Sequence, residues 1–292
     1  MTARDFFYRA SGSLRAPWQW IGFLLVALSA GLLTAGLAAP YALRVLSPLA
    51  LSFWSLLVGL VVAHVVMVRF VDHGTWAPIG LSRRSAAPAR LAVGLIAGSV
   101  GILMPSGVLL AAHWMRGEPA AARYSWAHYA ASLVALFLPQ SLGEELLSRG
   151  YLFARTREAL GWPAALTITS VGFGLLHYAN PGATPQAIVI VIIAGFFLGA
   201  ILLLTRSLYA AWMAHFAWNW SMAALLHATV SGLPALPPDY RVVSSGPVWV
   251  TGGAWGPEGG LAAVLGMTLC IAALVAWRRR APRAAPFERI ET

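Results

Sequence analysis

Ten carboxylates occur in this chain of 292 residues, and eight of them, among them Asp72, Glu118, Asp239 and Glu258, fall in loops or tails. The other two, Glu144 and Glu145, stand side by side inside an apolar stretch, in the run Gly143-Glu144-Glu145-Leu146-Leu147-Ser148-Arg149. An ionisable group inside such a stretch is costly to insert in a bilayer, so it is a functional candidate by default. On a helix Glu145 and Arg149 are spaced to pair. Glu144 points about 100° away and is left for a partner on another helix. The bland alternative is that the Glu-Glu-Arg cluster only ties helices together.

Two further segments carry candidate partners. Phe173-Gly174-Leu175-Leu176-His177 closes one apolar run, and His215-Phe216-Ala217-Trp218-Asn219 lies within another. His215 and Asn219 are one turn apart and share a helical face. Two carboxylates, two imidazoles, an amide and an arginine in a dry cavity suit hydrolysis of an amide, which needs a base to activate water and donors for the oxyanion. Glu144 with His177 suits the first role, His215 with Asn219 the second. A divalent metal such as zinc, held by Glu144, His177 and His215, fits the same set as well as a metal-free site does. His64 and His227 read as hydrogen-bonded helix contacts, His113 and His128 lie near a membrane surface, and His73 is in a loop. No span contains Asp, which excludes a paired-aspartate protease. No His-Glu-x-x-His occurs, which argues against the zinc site-2 type. Ser106-Gly107 lacks the glycine pattern of a serine nucleophile.

The elements that must position these groups follow from composition. Hydrophobic residues make up 59% and charged residues 10% of the chain, against roughly 45–50% and 25% in soluble domains. A soluble globule and a disordered chain are both excluded. The expectation is an all-α, polytopic membrane bundle, a single transmembrane domain over 1–292 with its motif-bearing core at about 128–228. Spans of about 20 residues are expected near 19–40, 49–68, 91–112, 128–152, 163–179, 186–205, 207–228 and 260–277. Residues 229–259 form a Gly/Pro/aromatic-rich outer loop expected at the interface. The first apolar run is too long for a cleaved signal peptide.

All twenty basic residues are arginine. With both termini cytoplasmic, sixteen fall inside and four outside (Arg44, Arg116, Arg123 and Arg241), as the positive-inside rule requires. The net charge of +10 is spread between apolar runs, so nucleic acid is not an expected partner. The single cysteine, Cys270, excludes an intrachain disulfide. Helical rise places Glu144 roughly 17–20 Å from the cytoplasmic end if its helix runs on to Arg155 and Arg157, similar to His177 and Asn219. Should that helix stop at Gly150, the depth is about 9 Å and the agreement weakens.

Glu-Glu-x-x-x-Arg, Phe-x-x-x-His and His-x-x-x-Asn, in this order in a polytopic chain, resemble the CPBP family, which includes CAAX prenyl endoproteases of the Ras-converting type and bacterial bacteriocin-processing and immunity relatives. Gly80-Leu81-Ser82-Arg83-Arg84 resembles an upstream loop of such proteins. The resemblance implies a helical membrane endopeptidase acting on a membrane-associated peptide or protein, lipid-modified or not, in a bacterial cytoplasmic membrane. It assigns water activation to Glu144 and His177 and oxyanion stabilisation to His215 and Asn219, with Glu145, Arg149 and Phe173 in support. It leaves open a metal or a metal-free mechanism, the oligomeric state, and a catalytically silent role in toxin immunity or scaffolding.

Overall fold

In the computed structural model most of the long apolar runs begin at a helix-starting signal. The side chains of Ser47, Ser125, Thr184 and Ser207 accept hydrogen bonds from the backbone N–H of Ala50, His128, Ala187 and Ala210, satisfying donors that the first helical turn leaves unpaired. Proline stands in the first turn of four long helices, where its missing N–H costs nothing. The structure describes residues 6–8, 12, 14–120, 125–233 and 237–280. Among the arginines counted above, Arg4, Arg9, Arg123, Arg283 and Arg289 lie outside the described residues.

Among the described residues eight long helices result: α1 (Ala16–Ala42), α2 (Pro48–Val65), α3 (Pro88–Ala111), α4 (Trp126–Arg149), α5 (Tyr151–Leu176), α6 (Pro185–Thr205), α7 (Leu208–Trp220) and α8 (Leu261–Arg280). The described chain is thus mostly helical, as expected, and it is an integral membrane protein. Six stretches are long and apolar enough to cross a bilayer by length and composition. The difference from the expected eight has two local causes. Trp126–Ala179 counts as one stretch, although Gly150 (φ −84°, ψ −125°) parts α4 from α5. α7 covers 13 residues before the winding widens to a π-turn over Ser221–Leu225.

Helix α4 therefore stops at Gly150, the case in which the depth agreement was expected to weaken. Gly161 (φ +83°) interrupts α5, so residues 151–160 form an arm and the following turns return toward α4. The arm is held at its root by His64. The His64 Nε2 accepts from the Tyr151 N–H at 3.0 Å, while Nδ1 faces the Leu60 carbonyl at 2.8 Å. Farther along, Arg157 donates to the Pro78 carbonyl at 3.0 Å. The structural role expected for His64 is the one observed.

Close backbone approach fixes the other motif helix. A Cβ at Gly94 or Gly98 of α3 would collide with the carbonyl of Ala210 or Ala214 of α7. Such small-residue stripes let membrane helices pack at short distance, where van der Waals contact replaces the absent hydrophobic drive. Around α7 a core gathers Ile102, Phe137, Phe173, Ile190, Phe197, Trp218 and Met222. A second core, with Phe23, Leu60 and Tyr151, joins α1, α2 and the arm.

The outer loop pairs with the segment that follows α3 to form a small sheet. Strands β1 (Met115–Pro119) and β2 (Tyr240–Ser244) pair antiparallel, with Glu118 opposite Arg241. Their side chains meet at 3.4 Å. Neither strand shows the two-residue alternation of a half-buried sheet, which is why the pair is not legible in the residues.

Candidate active site

The three motif segments converge. Glu145 (fully buried) receives Arg149 Nη1 at 3.1 Å from its own helix, as the spacing predicts, and His215 Nδ1 from α7 at 3.0 Å, both on Oε1. Arg149 also reaches α6, donating to the Gly195 carbonyl at 2.9 Å. Its guanidinium lies 4.3 Å from the centroid of the Phe173 ring on α5, a desolvated cation–π contact. Phe173 in turn packs edgewise on His215 and beside His177. One buried ion pair thereby fastens four helices.

Glu144 turns the other way. Its Oε2 is buried and has no hydrogen-bond partner among the described residues, yet it lies 3.8 Å from His177 Nε2 and 3.7 Å from His215 Nε2. The partner sought on another helix is thus found on two. The tautomers follow from the far side of each ring. Nδ1 of His177 faces the Phe173 carbonyl at 2.9 Å, and Nδ1 of His215 faces the Glu145 carboxylate. Both acceptors require Nδ1–H, so in neutral rings each Nε2 presents a lone pair toward Glu144. Both imidazole acceptors face the Glu144 oxygen from beyond direct hydrogen-bond distance, which leaves room for a bridging donor such as water.

Asn219 joins through a residue that the motif spacing did not single out. Its Nδ2 donates to Gln140 Oε1 at 3.1 Å, and Gln140 Nε2 donates to Glu144 Oε1. Gln140 was legible in principle, because it is a polar residue one turn before Glu144 on the same face. The open cleft at this point, with about 420 Å³ of atom-free space, is lined by His177, His215 and Asn219 and by the apolar Phe173, Val191, Phe197, Leu198 and Trp218. Ser231 and Glu258 of the outer loop complete the lining. By its place in the sequence Glu258 is one of the loop acids. The available signal was its position as a lone acid within a glycine-rich run, with no basic neighbour.

The remaining candidates fall elsewhere. His227 bonds the outer loop, with Nδ1 3.0 Å from the Tyr240 carbonyl and 3.1 Å from Asp239. Ser106 is buried in α3 outside the cleft lining. Among the described residues, no group of three or more His, Cys, Asp or Glu has the geometry of a metal site. The unpartnered Glu144 oxygen is served as well by a water molecule.

A family model described as type II CAAX prenyl endopeptidase, Rce1-like, matches residues 126–221. This segment holds all three motifs, so the family resemblance carried by Glu144, His177, His215 and Asn219 is met by an independent match. No curated protein and no solved structure matches the chain.

Proposed function

We propose that this protein is an intramembrane endopeptidase of the CAAX prenyl protease type, hydrolysing a peptide bond of a membrane-associated peptide or protein. The observation that carries it is the unpartnered Oε2 of Glu144, held within 3.7–3.8 Å of two imidazole Nε2 atoms on two other helices. A buried carboxylate oxygen without a donor costs about 1–3 kcal/mol or more; Oε2 of Glu145 is unpartnered too, but at Glu144 two imidazole Nε2 atoms stand beside the oxygen, so that one water can serve all three. A water lying between Glu144 and His177 donates a hydrogen to each, and its oxygen is then free to attack a peptide carbonyl carbon. The proton leaves the water for Glu144. The developing oxyanion is met by the second N–H of the Asn219 amide, whose first is held by Gln140. His215, oriented by Glu145, supplies the second donor when its ring already carries a proton at Nε2 before the water is activated, a proton from bulk solvent separate from the one that Glu144 takes. Collapse of the tetrahedral intermediate breaks the C–N bond, and the proton held by Glu144 passes to the leaving amine.

The apolar wall of Val191, Phe197, Leu198 and Trp218 suits an aliphatic or lipid-modified segment beside the scissile bond. The proposed orientation has eight spans with both termini in the cytoplasm, in a bacterial cytoplasmic membrane. It is supported by Arg83, Arg84 and Arg206 in the connections assigned to that side, by Arg69 and Arg90 at the helix ends beside them, and by Arg116 and Arg241 together on the opposite sheet. The test is cleavage of a membrane-inserted reporter peptide by the purified protein, wild type against His177→Ala, with and without chelator. Cleavage lost in the variant and unaffected by chelator is expected. Equal cleavage by the variant would overturn the assignment, and chelator sensitivity would move the chemistry to a metal.

A further inference from the structure

Glu258 lies outside the segment that the family model matches, yet it is only 9% exposed and lines the cleft beside His177, His215 and Asn219. Its two oxygens are fully engaged. Oε2 accepts the Trp218 indole N–H at 2.9 Å, and Oε1 accepts the backbone N–H and the hydroxyl of Ser231 at 2.5 and 2.7 Å. Ser231 adopts φ +49°, a left-handed conformation that costs a non-glycine residue about 1–2 kcal/mol. Strain of this kind persists where the surroundings over-determine it, and it clusters at functional sites.

The loop that delivers Glu258 is stiff. Gly252 and Gly256 take positive φ, and a Cβ at Gly256 would collide with the Thr229 carbonyl, so the two ends of the loop are packed backbone to backbone. Gln186 at the start of α6 donates to the carbonyls of Trp249 and Gly259 at 3.1 and 2.9 Å. A rigid strut is therefore anchored at one end on α6 and at the other on Trp218.

Trp218 directly precedes Asn219, and two residues later the helix passes from α to π winding at Ser221. At such a transition the regular ladder ceases to fix the helical phase, and π-turns recur at functional sites for this reason. We propose that Glu258 is a positioning residue for the proposed peptidase: by fixing the Trp218 indole it sets the phase of α7 at Asn219 and aims that amide into the cleft. The proposal rests on the peptidase reading and adds to it a residue from the outer loop.

The test uses the purified full chain and the reporter peptide, with kcat and KM measured for wild type, Glu258→Ala, Trp218→Phe and the double variant. Trp218→Phe keeps a large ring and removes the N–H donor. Each single variant is expected to lower kcat about 10- to 100-fold with KM little changed, the scale of an ångström-level misplacement. The double variant should be no slower than the worse single one. Ser231→Ala, which removes one of three donors and leaves the core intact, should fall between wild type and Glu258→Ala. Rates are expressed per folded molecule from size-exclusion and circular dichroism, so that a folding defect does not pass for a catalytic one. Single variants at wild-type kcat, or losses that multiply in the double variant, would overturn the proposal. A Glu144→Gln control separates the two failures. If that control is silent while Glu258→Ala and Trp218→Phe run at full rate, the Glu258 role alone fails. If it cleaves like wild type, the peptidase reading fails and this role with it.

Discussion

Replacing Arg149 by methionine isolates the ion pair that fastens the site. Arg149 is 1% exposed, and it gives up three contacts: Glu145 at 3.1 Å, the Gly195 carbonyl at 2.9 Å and the Phe173 ring at 4.3 Å. Hydrogen bonds made by a charged group are worth about 1.5–3 kcal/mol each and a desolvated cation–π contact about 2 kcal/mol. These are not additive, because one side chain makes all three. The larger consequence is that Glu145, fully buried, is left with His215 alone. Breaking one side of a buried pair costs about 3–5 kcal/mol, whereas removing both charges is close to neutral. The Glu145→Gln, Arg149→Met double variant should therefore recover most of the stability that Arg149→Met loses. It should not recover activity, since the amide no longer holds the His215 ring as the carboxylate does. Denaturant unfolding in detergent micelles measures the stability cycle, and reporter cleavage measures activity. An Arg149→Met loss below about 1 kcal/mol, outside the range for a broken buried pair, would refute the reasoning. So would a double variant as unstable as the sum of the single ones.

Two other outcomes follow from the same geometry. Gln140→Leu breaks the chain from Asn219 to Glu144 and should lower kcat about 10- to 100-fold through misplacement of both groups. Because Gln140 and Asn219 are buried, the unfolding midpoint should fall as well, with a loss of about 1–3 kcal/mol for a buried polar group left unpaired; a kcat equal to wild type would separate Asn219 from the site. Gly98→Val places a side chain against the Ala214 carbonyl and should destabilise by about 1–3 kcal/mol as an overpacked contact, read as a lowered unfolding midpoint. An unchanged midpoint would show that α3 and α7 pack elsewhere.

The chemistry of this chain was more legible than its path. Glu144, Glu145, His177, His215 and Asn219 stand out because an ionisable or amide group in an apolar run carries a cost that demands a partner, and spacing alone then pairs Glu145 with Arg149. Most of the helices were legible for a related reason: six of the long apolar runs open with Ser, Thr or Pro in capping positions. The breaks at Gly150 and Gly161 were not, since glycine is tolerated in a membrane helix and its dihedrals are chosen by tertiary contacts such as His64 on the Tyr151 N–H. Gln140 was hidden by being neutral. Glu258 was hidden because its partners, Trp218 and Ser231, are 40 and 27 residues away. No local pattern brings a loop back onto a helix over that separation.

The central claim is that Glu144, flanked by His177 and His215, activates the attacking water. The most direct measurement is the single-turnover cleavage rate of Glu144→Gln set beside that of Glu145→Gln, each with wild type and with folding verified. Glutamine keeps the size of the side chain but cannot take the proton, so Glu144→Gln should be slower by about 10²–10⁴-fold, the worth of a general base. Glu145→Gln, which only orients His215, should retain more activity. A Glu144→Gln rate within a fewfold of wild type, or a deeper loss in Glu145→Gln, would contradict the account.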